Sequence, residues 1–195
     1  MAEMGTLHEA FVEELRDIFD GEKQLTKALP KMAKAANSPE LRQAIESHLE
    51  ETRQQVTRLE QVFASLDEKA RGKHCEGIAG IIEEGQAIMQ EEFDEATADA
   101  CLIAAAQRAE HYEMATYGTL VAWARAMGHD EAADLLQETL DEEKAADEKL
   151  NELAEGGINE QAAEGAHQDE DQEEEGEKEE QPVGAGSSKR SARRR

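Results

Sequence analysis

Aromatic residues make up only 4% of the 195-residue chain, and there are three prolines. Sandwiches and barrels draw on aromatic and β-branched side chains and on frequent turn residues, so an all-β fold is excluded. No apolar run approaches the roughly 20 residues needed to span a bilayer. The opening MAEMGTLHEAF lacks the basic-then-apolar layout of a secretion signal, which predicts a soluble cytoplasmic protein. The two cysteines, Cys75 and Cys101, have no CxxC spacing, so reduced thiols are expected. Bases are scarce too: 21 against 46 acids, for a net charge of -25.

That imbalance reaches well into the folded part. Up to Glu155 there are 35 acids and 15 bases, a net of -20. General nucleic-acid binding by such a surface is excluded, because phosphate would be repelled. Accumulation of cations is permitted. Dense surface acid also serves solubility, or a high-salt milieu in which repulsion is screened.

What is present in abundance is the vocabulary of long helices: alanine, leucine, glutamate and glutamine. Apolar residues recur at helical spacing over about 7–36, 39–66, 94–127 and 130–154, with a shorter helix over about 78–90. Ser38 and Pro39 form an N-cap and first helical position, and Gly128 is a C-cap. The first–second and third–fourth loops span two or three residues, so each pair is an antiparallel hairpin. The connection between the hairpins, about 27 residues through Gly72, His74 and Gly77, is long enough to recross the bundle. The reading is an all-α, ferritin-like four-helix bundle over 1–155, its crossover carrying the short helix. Residues 156–195 contain almost no large apolar side chain. They are expected to be a disordered tail, acidic first and basic at Lys189–Arg195, a charge block suited to weak, salt-dependent contact with nucleic acid or another polyanion.

Charged residues interrupt the buried stripes. Glu22 lies between Phe19 and Leu25 on the first helix, and Glu110 between Ala106 and Met114 on the third. Glu143 and Asp147 fall between Leu140 and Leu150 on the fourth. His48 and Thr52 share the second helix's stripe, with Glu51 at its edge, and Glu113 sits at the margin of the third. Height agrees with angle: Glu22, Glu51, Glu110 and Glu143 each lie about 20 Å from a turn, at 1.5 Å per residue. Buried carboxylates on facing helices repel one another unless paired or bound to metal. Carboxylates can bridge two ions, and His48 adds a nitrogen ligand that favours Fe or Mn over Ca or Mg. The candidate ligands are therefore Glu22, His48, Glu51, Glu110, Glu113, Glu143 and Asp147, holding two ions per chain. Tyr117, two turns beyond Glu110, is a candidate hydrogen-bond donor, a redox tyrosine or plain packing. The competing reading is an ion-pair core built with Arg53, Arg108 or a lysine. His111 points away from the inner stripe.

The segments GEKQLTKALPKMAKAA, SHLEETRQQVTRLEQVF, DACLIAAAQRAEHYEMATYGTL and ETLDEEKAADEKLNELA resemble the YciE/YciF family of ferritin-like bacterial stress proteins. The similarity covers about Leu7 to Ala154, most specifically EHYE at Glu110–Glu113 and EEKAADEKL at Glu142–Leu150. The resemblance implies a four-helix bundle, a homodimer and a dimetal site. Ferritin-like proteins usually carry Glu-x-x-His on the second and fourth helices. Here Glu50 is followed by Arg53, and Glu143 by Ala146, so neither histidine is present. The functions in view are a dimetal protein with oxidase- or peroxidase-type activity in stress or oxidant defence, a non-catalytic scaffold for dimerisation or partner binding, and iron storage.

Overall fold

The computed structural model describes residues 5–165. Five α-helices follow in order: α1 Leu7–Ala35, α2 Pro39–Ser65, α3 Glu76–Ile88, α4 Glu95–Met127 and α5 Asp130–Leu153. No strand occurs among the described residues. Side-chain caps start α1, α2 and α4. Thr6 and Glu9 form a reciprocal capping box ahead of α1. The Ser38 hydroxyl accepts from the Leu41 amide with Pro39 in the first turn of α2, and Asp94 accepts from the amides of Ala96 and Thr97. Gly128 ends α4 at φ 75°, the left-handed conformation that glycine adopts without steric cost.

Contacts between the hairpins give the topology. Asn37 meets Asp99 at one end of the bundle, while Phe11 stacks on His129 at the other. Helix α1 is therefore antiparallel to α4. Gln55 meets Glu143 and Arg58 meets Thr139, so α2 is antiparallel to α5. The four long helices thus run up, down, down, up, and residues 66–94 recross the length of the bundle. This is the ferritin-like arrangement expected from the loop lengths.

Helix α3 rides on the outside against α1 and α4. It comes so close that a Cβ on Gly77 would lie 2.5 Å from the Tyr112 ring. The apolar core is split in two. Phe11, Leu15, Phe19, Phe63, Leu120 and Leu136 fill one half, and Leu29, Leu41, Ile45, Ile103 and Leu150 the other. A layer of buried polar side chains lies between them.

The expected boundary at 155/156 is corrected. The chain kinks at Gly157, whose φ of 134° is not helical, and helical backbone resumes over 159–165. Ile158, with Leu153 and Ala154, packs against the core. Helix-spaced apolar residues thin out there, and Ile158 is the one large apolar side chain in 156–165. The basic end Lys189–Arg195 and the rest of the expected tail from 166 lie outside the described residues.

Candidate metal centre

Four helices deliver the polar layer. Helix α1 contributes Glu22, α2 contributes His48, Thr52 and Gln55, α4 contributes Glu110, Glu113 and Tyr117, and α5 contributes Glu143; all are buried. Ligand atoms of His48, Glu110, Glu113 and Glu143 all lie within 4.8 Å of one another. The His48 Nε2 is 3.3 Å from Glu110 and 4.0 Å from Glu143. Glu22 adjoins Glu113 on the opposite wall and accepts a short hydrogen bond from the Tyr117 hydroxyl. Glu113, placed by the sequence at the margin of its stripe, is 1% exposed.

Glu51 and Asp147 stand further out. The Glu51 side chain is 42% exposed, with an oxygen 3.6 Å from His48 Nδ1. Asp147 is partly exposed and faces His111 Nε2 at 3.2 Å, while also accepting from Gln107. Among the described residues, the ion-pair core does not form. Arg53 pairs with Glu50 and Arg108 approaches Glu84, and no lysine or arginine reaches the four buried glutamates of the layer. Arg58, the one buried arginine among the described residues, is taken up by Glu138, Glu142 and the Thr139 hydroxyl.

Electrostatics follow from this isolation. Burial, then the charge of Glu143, holds Glu22 and Glu110 well above the ordinary carboxylate pKa. Glu113 is raised by burial and by Glu143, Glu22 and Glu110 around it. Burial raises Glu143 as well, although His48 and hydrogen bonds from Gln55 and Glu110 work against it. Burial opposes charge on His48, but the neighbouring Glu51 carboxylate and the charges of Glu143 and Glu142 outweigh it and raise its pKa. Burial also lifts the Tyr117 phenol well above its usual value.

A divalent metal fits these residues. Five buried carboxylate oxygens have no hydrogen-bond partner: Glu22 Oε2, Glu110 Oε2, both oxygens of Glu113, and Glu143 Oε2; His48 Nδ1 is likewise alone. Buried polar atoms are nearly always paired, so a cluster of orphans around one point marks a place for a cation. Oxygen donors with one imidazole suit Fe or Mn.

Sequence reasoning missed Gln55. It is fully buried, and its amide donates to Glu143 at 2.5 Å and to Glu142 at 3.0 Å, which fixes the orientation of both. The only signal was its spacing: Gln55 is three residues beyond the inward-facing Thr52. The inward pair on α2 is thus Thr52 and Gln55, whereas the exposed Glu50 and Arg53 pair with each other at the surface.

Comparison with known proteins places this architecture. A family model described as a domain of unknown function, DUF892, matches residues 6–163. The chain is 44% identical over 160 residues to Protein YciF of Escherichia coli strain K12, covering 82% of this chain and 96% of that protein. The crystal structure of the E. coli stress protein YciF matches with a TM-score of 0.77 over 80% of this chain and 99% of that one. YcfI of Rhodopseudomonas palustris, described as a candidate structural protein, matches at 46% identity and TM-score 0.75, covering 77% and 96% of the two chains. A protein from Xanthomonas campestris pv. campestris matches at 26% identity and TM-score 0.66, over 83% and 99%. With this fold and this identity, the chain belongs to the DUF892 family, the YciE/YciF group that its helix segments resemble.

Proposed function

We propose that this protein holds two Fe or Mn ions between its hairpins and acts in stress or oxidant defence. The orphaned carboxylate oxygens facing one another across the bundle carry this reading. Glu110, Glu113, Glu143 and His48 would hold the ions, with Glu22 closing the α1 side. A pair of such ions would supply electron transfer to dioxygen or peroxide. The chain's own residues do the rest. Tyr117 holds Glu22 in one orientation, Gln55 holds Glu143, and the two apolar half-cores keep bulk water from both ends of the layer. The stress association of the E. coli relative agrees with this role.

Metal analysis of protein purified without chelator is the test. About two ions per chain are expected, with Glu22→Ala and Glu110→Ala each losing tight binding while remaining helical. Unchanged metal content in both variants would sink the assignment. A second reading is a metal-free, homodimeric scaffold, favoured by the neutral Thr52 and Gln55 on α2 and by the designation of the R. palustris relative. It requires metal-free protein from every preparation. Iron storage in a cage requires many copies, so mass in solution separates it from a dimer.

A further inference from the structure

The interface between α2 and α5 is closed on one side of the polar layer and open on the other. On the closed side, Gln55 and Arg58 reach across to Glu138, Glu142 and Glu143. On the open side the facing residues are small, Ala44 and Ser47 on α2 and Ala145 and Ala146 on α5, and a cleft of about 490 Å³ opens between them. Its inner walls are the buried side chains Leu29, Ile45, Ala106 and Leu150. Its floor includes His48 and Glu110, which are 8% and 3% exposed and carry the unpartnered atoms Nδ1 and Oε2. The volume is that of a small-molecule pocket, and the pattern of apolar walls with a few polar atoms at one end is what such pockets share.

The rim narrows the class of occupant. Glu40 and Glu51 stand at the mouth, and the one basic group there, Lys149, is already paired with Glu152 at 3.0 Å. A carboxylate or phosphate would meet net negative charge on a protein that is acidic throughout. An amine would be attracted to it. We infer that the α2–α5 cleft binds a small aliphatic molecule that bears no negative charge, with its alkyl chain on Leu29, Ile45 and Leu150 and one end reaching the His48–Glu110 edge of the polar layer. The inference extends the dimetal reading by giving that centre a substrate class, but the cleft and its charges stand without metal.

Calorimetric titration with octylamine, octanol and octanoate, which share one chain length, tests the inference on the protein as purified, with metal content measured on the same sample. Octylamine and octanol should bind, and octanoate about tenfold or more weakly. Ala146→Leu and, separately, Ala44→Leu fill the cleft from its two walls. Each should abolish octylamine binding while helicity and metal content stay at the parent level. Equal binding of octanoate overturns the charge selection. Failure of all three probes on metal-loaded protein overturns the cleft as a ligand site and leaves the dimetal reading intact. Binding to protein without bound metal sustains the cleft independently of the dimetal reading, which the metal analysis alone decides. If the fillings change the mass in solution and no probe binds, the cleft is an interface between copies and the inference is overturned.

Discussion

At the scale of single residues, the molecule is governed by four glutamates that prefer to keep their protons. Glu22, Glu110, Glu113 and Glu143 all have pKa values raised above the ordinary 4.5, with burial the largest cause in each. The folded state therefore holds more protons than the unfolded chain between pH 4.5 and the raised values. Their contribution to stability is fully present below about pH 4.5 and is lost as pH rises through the folded pKa values. Metal-free protein should accordingly melt higher at pH 5.5 than at pH 7.5, and Glu113→Gln should flatten that dependence. Melting curves at the two pH values check this, and an apo form that is less stable at the lower pH contradicts it. The Tyr117 hydroxyl donates to Glu22 Oε1. Tyr117→Phe leaves that oxygen as lonely as Oε2 and should cost about 1–3 kcal/mol in the metal-free protein. The melting point then falls by about 2–4 °C per kcal/mol. An unchanged melting point would mean that the hydrogen bond has no energetic weight.

At the scale of helices, what matters is how one element is tied to the next. Asp99 on α4 is 3% exposed and accepts from the backbone amides of Asn37, at 2.8 Å, and Ser38, at 2.6 Å. It pins the α1–α2 turn to the start of the second hairpin. Asp99→Ala should cost about 2–3 kcal/mol, because two partly buried amides lose a charged acceptor. Chemical denaturation checks this, and a loss below about 0.5 kcal/mol would place the pinning elsewhere. The contrast between Asp99 and Ser38 explains what could be read in advance. Ser38, Pro39 and Gly128 act on their own helix ends, so spacing along the chain exposes them. Glu22, Glu110 and Glu143 interrupt apolar stripes and are equally visible. Asp99, Gln55 and Arg58 do their work on a helix that is distant in sequence, and nothing local distinguishes them from other polar residues. Glu51 and Asp147 stand further from the buried cluster than their helical phase suggested. Helical phase brought them near the stripe, but the rotation set by side-chain packing leaves one exposed and the other facing His111.

At the scale of the whole molecule, the fold is longer than its apolar periodicity implied. Ile158 packs on the half-core that contains Leu41 and Leu150. A chain cut after residue 165 should keep that contact, whereas one cut after Glu155 should be less stable by about 1–2 kcal/mol, the value of a partly buried isoleucine. Comparing the two melting points decides it, and identical values would show that the turn adds nothing. The up, down, down, up course has a kinetic consequence as well. Each hairpin is built from contacts close in sequence, whereas the polar layer needs Glu22 and His48 from one hairpin and Glu110, Glu113 and Glu143 from the other. Local hairpins close quickly, and docking across the long crossover must follow. The polar layer is assembled only at that last encounter, so any ligand bridging the halves acts as a late latch. It slows the parting of the hairpins and leaves the rate at which each one forms untouched.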